Sequence, residues 1–287
     1  MKIGFIGAGK VCHTMSFYLN SKYNNVVGIY SKDICDAKEA AKFSISEYYS
    51  NLSDLLDLCD TLFLTVNDDS LEIIVKELIN LNIKNKILIH TSGSYNSDIF
   101  SSLNDNNYCY SLHPIYAFND KYNSINGFGD CYFTLEGNVK YLEDIKKLFL
   151  NRVVLINKED KTKYHIACVM LSNFICGITY KSEEILNSIG INNLEIFRPL
   201  ILNNINNILN SNSVKALTGP IVRNDIKTIS KHLDNIDKKD LYIMLSNILI
   251  EMSMKKTDND YSEMKKLLGG IKWLTLIHLK MQKVKKN

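Results

Sequence analysis

The pair His113-Pro114 is the part of this sequence best suited to proton transfer at neutral pH. An imidazole has an unperturbed pKa of about 6.5, so it can exchange a proton with a carbonyl or hydroxyl oxygen. The adjacent proline restricts the backbone and helps to hold the ring in one orientation. A histidine that only bonds a backbone carbonyl group is the structural alternative. We take His113 as the first candidate for a catalytic residue.

A turn of small polar residues, Thr91-Ser92-Gly93-Ser94, follows the apolar run Lys86–His90. That run predicts a buried strand next to the strand that leads to His113. Ser92 at its end is therefore placed to share a substrate oxygen with His113. His90 closes the same buried run, and there we expect a structural histidine.

The first twenty residues contain a strand, a glycine turn and the start of a helix, in that order. Gly7 permits the tight turn, and Gly9 lets the backbone approach a pyrophosphate at the positive end of the helix. Cys12 stands where a third glycine is usual, a position that sets how closely helix and strand pack. The order predicts a dinucleotide-binding site. A Rossmann-like scaffold that binds no ligand is the alternative.

The end of the second predicted strand, Tyr30-Ser31-Lys32, bears on the choice of cofactor. Sites for NAD carry an acidic residue there, which holds the ribose 2′-hydroxyl. A hydroxyl and a cation suit a 2′-phosphate, so Ser31 and Lys32 favour NADP(H). Asp33 comes late, and we expect it to cap the next helix. Ser31 and Lys32 as ordinary turn residues are the alternative.

Ligands of open parallel sheets bind beyond the carboxyl ends of the strands. The residues expected to hold the cofactor follow the predicted strands and are Gly7, Gly9, Lys10, Val11, Ser31, Lys32, Val66, Asn67, Asp68 and Thr91.

The helical half of the chain offers three further candidates. His165 and Asn173 are eight residues apart on a predicted helix, so one helix face can present both. They face a substrate or are satisfied inside a core, and the sequence leaves both roles open. Arg223 follows a Gly-Pro helix start and can bind a substrate carboxylate as a bidentate pair. A structural contact between Arg223 and Asp225 is the alternative.

The elements that must position these residues form two regions. Short apolar runs alternate with helical patterns as far as residue 156, which predicts a doubly wound parallel sheet of the Rossmann type. The predicted strands are Lys2–Ile6, Asn25–Tyr30, Thr61–Val66, Lys86–His90, Tyr108–Leu112, Tyr132–Glu136 and Val153–Ile156. From residue 157 to 287 only helical patterns occur, at Lys158–Ser188, Leu194–Leu209, Ile221–Leu233, Lys239–Met254 and Glu263–Lys283. The sequence thus predicts an α/β dinucleotide domain over 1–156 and an all-helical domain over 157–287.

Composition argues against several classes of protein. The 287 residues carry a net charge of +3, near balance, which disfavours nucleic acid as the main partner. No apolar run approaches the roughly 20 residues of a membrane span, and we expect no signal peptide. Seven cysteines without a CxxC pair predict reduced thiols in a cytoplasmic protein and no metal site.

Several stretches together resemble a known family: GFIGAGKVCHTM, HTSGS, SLHPIYAF, YHIACVMLSNF and ALTGPIVRNDIKTISKHL. They are similar to bacterial Rossmann-fold oxidoreductases whose C-terminal helical domain long carried no assigned function. That family is related to deazaflavin-dependent NADP oxidoreductases and to pyrroline-5-carboxylate reductase. Some members resemble an alternative type of ketopantoate reductase in pantothenate biosynthesis.

The serine turn followed by a His-Pro pair is also similar to prephenate dehydrogenases, in which the histidine acts on the substrate hydroxyl. The matching positions here are Ser92 and His113. Hydroxyacid dehydrogenases of the wider group use a helical lysine one turn before an asparagine. Before Asn173 the corresponding residues are Val169 and Met170, so that lysine mechanism does not carry over. His113 or His165 is left to supply the proton.

The resemblance implies an NADPH-dependent reductase of a small oxo acid, with 2-dehydropantoate to pantoate as the first specific reaction. Hydride transfer is expected in a cleft between the domains, with Ser92 and Asn173 holding the substrate oxygen and Arg223 its carboxylate. Related enzymes pair through such helical domains, so we expect a homodimer. Reduction of another oxo acid or an imine, a non-enzymatic NADP-binding sensor and a scaffold that binds no cofactor are the alternatives.

Overall fold

The structure, a computed structural model, describes residues 1–269. The predicted helix Glu263–Lys283 extends beyond the described residues. Eight strands form one sheet in the order β3-β2-β1-β4-β5-β6-β7-β8. Their bounds are β1 Ile3–Ile6, β2 Val26–Tyr30, β3 Glu47–Tyr49, β4 Thr61–Leu64, β5 Ile87–His90, β6 Tyr108–Ile115, β7 Tyr132–Gly137 and β8 Val153–Leu155.

Strands β1 to β6 run parallel to their neighbours in the sheet. Strand β7 is antiparallel to β6, and β8 is again parallel to β7. The predicted doubly wound sheet of the Rossmann type is confirmed. The antiparallel β7 departs from a purely parallel sheet, because the segment after β6 doubles back along it instead of crossing over through a helix.

Helices lie between and after the strands. They are α1 Lys10–Tyr23, α2 Ile34–Ser44, α3 Leu52–Leu58, α4 Asp68–Asn80, α5 Leu142–Leu148, α6 Lys161–Leu171, α7 Asn173–Ser188, α8 Arg198–Asn210, α9 Ser213–Ala216, α10 Ile226–Asn235, α11 Lys239–Ser253 and α12 Ser262–Leu267. Short 3-10 turns add Ser97–Leu103, Asn123–Ile125, Phe128–Asp130, Lys158–Asp160 and Leu194–Phe197. Strands followed by a wholly helical region confirm the predicted fold class.

Alternation along the strands divides the core between the two faces of the sheet. Phe5 and Phe63 stack on one face, with ring centroids 5.2 Å apart. Ile6 and Leu64, one residue further along each strand, belong to the cluster on the other face. Both faces are covered, so every residue of β1, β4 and β5 is buried, and most of them are apolar, as the sequence pattern indicated.

The chain forms two compact units, Met1–Ser182 and the region from Glu183 onward. The second unit has its own apolar core, which includes Ile229, Ile250 and Met264. The last strand ends at Leu155, where the sequence pattern also turns helical. The compact units divide further along the chain, because the first contains α6 and most of α7. The domain boundary at residue 156 stays a prediction.

Two predicted helices differ from the structure. The pattern over Lys158–Ser188 gave one helix, but Ser172 adopts φ −125° and ψ −77° and separates α6 from α7. Its hydroxyl donates to the Cys168 carbonyl at 2.7 Å, a bond that competes with regular helix geometry. The helix predicted from Ile221 begins only at Ile226, because Asn224 has a φ of 55°.

Helices α7 and α8 contain no buried residue, although both carry apolar side chains. Leu200 on α8 is 68% exposed. Of the helices within residues 1–269, none is both long and apolar enough to span a lipid bilayer.

Gly7 and Gly9 offer a matched test of the turn after β1. Gly7 has a φ of +96°, and an added Cβ would lie 2.7 Å from Val66 Cγ1, whereas at Gly9 an added Cβ meets no atom within 4 Å. We expect Gly7→Ala to lower the free energy of unfolding by about 3 kcal/mol through backbone strain and overpacking. Gly9→Ala should lower it by about 1 kcal/mol or less. Urea unfolding measures both, and equal losses would contradict this account of the turn.

Candidate functional site

The glycine turn leaves the N-terminus of α1 open. Gly9 is the N-cap of α1, no side chain caps it, and the first turn of the helix carries no acidic residue. The first N–H groups of a helix have no partner within the helix and lie at its positive end. Together with the free space over Gly9, this end of α1 is suited to a phosphate or pyrophosphate group.

Cys12 fits the place of the third glycine without opening a gap. Its side chain is fully buried on the inner face of α1, beside the hydroxyls of Thr65 and Ser16. Burial raises the pKa of the Cys12 thiol to about 12, so the sulfur is an uncharged packing group. Thr65 in turn donates to the Gly7 carbonyl at 3.0 Å, which ties the turn to β4.

Some of the residues that follow β2 and β4 cap the next helix, and others do not. Asp33 Oδ1 accepts from the Cys35 amide at 2.8 Å and caps α2, which confirms its predicted capping role. Asn67 caps α4 by accepting from the Ser70 amide at 3.0 Å. With Asp33 engaged, Lys32 is exposed at the end of β2 beside the half-buried Ser31. Lys10 and Val11 form the first turn of α1.

The turn after β5 is built around a neutral histidine. His90 Nδ1 accepts from the Ser92 amide at 3.2 Å, so the ring hydrogen is on Nε2, which donates to the Asn96 carbonyl at 3.1 Å. Burial, with the charge of Lys161 as the next cause, lowers the pKa of His90 to about 3. The structural role expected for His90 is confirmed.

Ser92 shapes the same turn with its hydroxyl. The oxygen accepts from the amides of Ser94 and Tyr95, both at 3.1 Å. Ser94 donates to Asp68 Oδ2 at 2.5 Å, which ties the turn after β5 to the start of α4. Thr91 lies buried at the start of the turn. The Ser92 hydroxyl is therefore fixed in position close to the residues that follow β4.

His113 lies beyond the end of β5 on the longer strand β6. Its Nδ1 is 2.7 Å from the hydroxyl of Tyr164 on α6. Burial lowers the pKa of His113 to about 4, with Lys161 and His165 as the next causes and Asp68 opposing them. The ring is therefore neutral at pH 7, and it acts through a neutral N–H or a free nitrogen instead of a stored positive charge.

Gly93 brings two imidazoles together. An added Cβ at Gly93 would lie 2.9 Å from His113 Nε2 and 2.6 Å from His165 Cε1. The two rings are perpendicular with centroids 5.8 Å apart. His165 Nδ1 is buried without a hydrogen-bond partner among the residues of the structure. The predicted residues Ser92, His113 and His165 thus meet at one end of the sheet, and His165 keeps a free polar atom there.

Asn173 and Arg223 are placed differently from the prediction. The break at Ser172 falls between His165 and Asn173, so their spacing does not put them on one helix face. Asn173 is exposed, and its Oδ1 lies 3.0 Å from the Ser172 hydroxyl oxygen. Arg223 lies in the second unit, in the turn before α10 instead of its first helical turn.

The alternative contact between Arg223 and Asp225 is not an ion pair. Asp225 caps α10, accepting from the amide and the hydroxyl of Thr228 at 3.1 and 2.7 Å. Arg223 is exposed, and in the part of the chain that the structure covers it forms no salt bridge within 4.0 Å.

Lys161 is the residue that sequence reasoning missed. It is the first residue of α6 and 1% exposed, and its Nζ donates to Ser111 Oγ at 2.7 Å. Burial lowers the pKa of Lys161 to about 8, against the opposing charge of Glu136. A lysine at the start of a predicted helix is ordinarily a solvated residue. The signal that would have found it is its spacing of three and four residues before Tyr164 and His165.

Three histidines, His13, His90 and His113, make stability depend on pH. Burial lowers the pKa of each below the value of about 6.5 in the unfolded chain, so the unfolded state binds protons first as the pH falls. The neutral rings contribute fully to the free energy of unfolding above about pH 6.5. As the pH falls toward 4, this contribution is lost at about 1.4 kcal/mol per pH unit for each ring. Urea unfolding at pH 7, 6 and 5 measures this slope.

Replacing one histidine measures how much that ring contributes to the change of the free energy of unfolding with pH. His113→Gln should remove only the part of the slope that His113 contributes, since His13 and His90 remain, and His232→Gln, on the exposed part of α10, is the control. A slope that is the same in all three proteins would contradict a neutral, half-buried His113.

Two family models match the sequence. A Rossmann-like domain matches residues 1–114, and the domain of unknown function DUF2520 matches residues 131–248. No protein of curated function matches the chain.

Solved structures share the fold over most of the chain. A proposed NADP oxidoreductase from Bacteroides fragilis is 22% identical, with a TM-score of 0.73 over 87% of this chain and 97% of that one. A protein from Thermotoga maritima is 23% identical, with a TM-score of 0.66 over 88% and 99%. An imine reductase from Myxococcus stipitatus, in complex with NADP⁺, is 11% identical, with a TM-score of 0.60 over 89% and 93%. Residues 1–114 thus match a Rossmann-like domain and residues 131–248 match the DUF2520 domain, and the chain shares its fold with these solved structures over most of its length.

Proposed function

We propose that this protein is an NADPH-dependent reductase of a small 2-oxo acid. The observation that carries the proposal is that two features lie at the same edge of the sheet. An open, uncapped helix N-terminus lies beyond β1, and a neutral histidine with a tyrosine partner lies at the end of β6. The first is suited to a dinucleotide phosphate and the second to a carbonyl oxygen. The fold shared with proteins that bind or are proposed to use NADP supports the same function.

The residues fit NADP(H) in preference to NAD(H). Gly9 offers a cradle that a side chain would fill, and the backbone N–H groups of Lys10 and Val11 would bind the pyrophosphate. Ser31 and Lys32 stand where the 2′-phosphate would bind, and Asp33, the nearest carboxylate in sequence, is engaged as a cap. The remaining cofactor contacts would come from Val66, Asn67, Asp68 and Thr91.

When bound, NADPH supplies the hydride. His113 handles the proton. In the tautomer in which the Tyr164 hydroxyl donates to Nδ1, the ring hydrogen is on Nε2 and can donate to the substrate carbonyl oxygen. As that oxygen takes the proton, Tyr164 passes its own proton to Nδ1, so the ring stays neutral throughout. Solvent then restores the tyrosine. His165, with its unpartnered Nδ1, is the alternative donor.

The remaining polar residues are assigned to the substrate. Ser92 is the first proposed contact to the substrate oxygen. Its hydroxyl hydrogen points to Ser94 Oγ at 3.2 Å, because the Ser94 hydrogen goes to Asp68, and it would have to turn toward the substrate. Asn173 is the second proposed contact to that oxygen, and Arg223 the contact to the carboxylate. Within this class 2-dehydropantoate, reduced to pantoate, is the first substrate to examine. The likeness to an imine reductase makes cyclic imines the second group.

NADPH oxidation in the presence of a panel of 2-oxo acids and imines tests the function. We expect turnover with at least one 2-oxo acid, faster with NADPH than with NADH. His113→Ala should lower kcat by about 100-fold, the usual contribution of a positioned acid or base. The matched control is His232→Ala, which removes another histidine bonded to a tyrosine, Tyr242, but at an exposed position of α10. Binding of NADPH without turnover of any compound would favour the sensor, and no binding at all the degenerate scaffold.

We also propose that the chain forms a homodimer through α7 and α8. Isolated helices of this length are marginal in water, and neither helix buries a residue in the structure. Their apolar side chains include Phe174, Ile185, Leu200 and Leu209, all more than half exposed. A second copy that covers these side chains would supply the missing apolar burial.

Sedimentation velocity should give the mass of a dimer for the native chain. Leu200→Glu places a charge in the proposed contact and should shift the sample toward monomer. Val139→Glu is the control, since Val139 is 87% exposed but lies outside both helices. A native chain that sediments as a monomer at assay concentration would overturn the proposal.

A further inference from the structure

Lys161 is a buried charge that the stability of the fold does not explain. Its side chain is 1% exposed, and Nζ donates one hydrogen bond, to Ser111 Oγ at 2.7 Å. Within residues 1–269 no carboxylate lies within 4.0 Å of it, so two of its three donors have no protein partner. It also opens α6, where the helix dipole disfavours a positive charge. Such a group is costly to keep, which points to a role in the site.

The nearby buried carboxylate of Glu136 does not pair with Lys161 directly. Both of its oxygens are engaged by Ser97, whose amide donates at 2.6 Å and whose hydroxyl donates at 2.7 Å. Glu136 favours the charged form of Lys161 only through space. No direct ion pair with Glu136 therefore neutralises the Lys161 ammonium, and its positive charge acts on the other neighbouring groups.

Two polar contacts connect α6 to β6, because the spacing of two side chains on the helix matches the spacing of two side chains on the strand. Ser111 and His113 are two residues apart on β6, so their side chains leave the same face of the strand. Lys161 and Tyr164 are three residues apart on α6, so they are neighbours on one helix face. Lys161 contacts Ser111, and Tyr164 contacts His113 at 2.7 Å. The ammonium and the imidazole are thus held at a fixed separation.

That separation lets Lys161 act on the protonation of His113. The positive charge opposes a second positive charge on the ring and is the largest cause after burial of its lowered pKa. The other groups that face the pair are Asp68 on α4, His90 on β5, Glu136 on β7, and Tyr164, His165 and Cys168 on α6. Of these, Lys161 combines a full positive charge with a fixed contact to the strand of His113.

We propose that Lys161 is a positioning residue for the reaction: its buried ammonium, anchored on Ser111, holds α6 against β6 and so fixes the contact between Tyr164 and His113, and it adds a positive charge to the surroundings of the ring. The catalytic part of this inference rests on the proposed reductase function, and the electrostatic part does not. A neutral ring keeps one hydrogen for the substrate oxygen and one lone pair for the Tyr164 proton. An imidazolium would occupy both nitrogens with hydrogens and could not accept from Tyr164.

Histidine ring NMR tests the electrostatic part without any substrate. The chain has six histidines, and the resonance lost in His113→Gln identifies the ring. In the native protein we expect a midpoint near pH 4, with a second, smaller inflection near pH 8 when Lys161 loses its proton. Lys161→Met, a neutral chain of similar length, should raise the midpoint by about one pH unit and abolish the inflection. The midpoint should stay below about 6.5, because burial remains.

Lys163→Met is the matched control, since Lys163 lies on the same helix with a side chain 83% exposed. It should reproduce the native curve. An unchanged His113 midpoint in folded Lys161→Met would overturn the proposal. If Lys161→Met does not fold, the native inflection near pH 8 decides alone, and its absence would overturn the proposal equally.

The pH profile of turnover tests the catalytic part. We expect kcat of the native enzyme to fall above about pH 8, as Lys161 loses the charge that orders the site, and KM for NADPH to stay constant. Lys161→Met should lower kcat at least tenfold and lose this basic limb, whereas Lys163→Met should keep both. A basic limb that persists in Lys161→Met contradicts the role in turnover. If no compound is reduced but the NMR midpoint moves, the reductase function fails and the control of His113 by Lys161 stands.

Discussion

The parallel register of the central strands is the constraint on which the site depends. Ile6 of β1 pairs with Leu64 of β4, and Leu64 pairs with His90 of β5, so three strands end level at one edge of the sheet. Strand β6 continues past that edge before it ends. The glycine turn, the Asp68–Ser94 contact and His113 therefore come together although long stretches of chain separate them. A slip of one residue between two of these strands would turn their buried side chains to the wrong face.

Much of this arrangement could be predicted because apolar burial and caps leave local signals. The runs that became β1, β4, β5 and β6 are mainly apolar, and Asp33 stands where a cap belongs. Strand β3, Glu47–Tyr49, was missed because it is a short edge strand with exposed side chains and no apolar pattern. The break at Ser172 was missed because a serine hydroxyl causes it and no glycine or proline marks it.

The candidate site was predictable only in part, for a different physical reason. His113 and Ser92 follow strands, so the topology of the sheet places them. Tyr164 and Lys161 reach the site through the docking of α6 on β6, a tertiary contact that no local pattern encodes. The burial of His113, and after it the charge of Lys161, lower the pKa of the ring. A sequence shows that an imidazole is present but not which form it takes at pH 7.

Gly93 has a consequence that reaches beyond its own turn. The space that a methyl group would need there is occupied by two imidazoles, one from β6 and one from α6. The size of one side chain in the loop after β5 thus limits how close α6 can come to the sheet. Gly93, His113 and His165 are for this reason a single steric unit. Any related chain with a larger residue at this position must move the helix or give up one of the two rings, so the three positions can change only together.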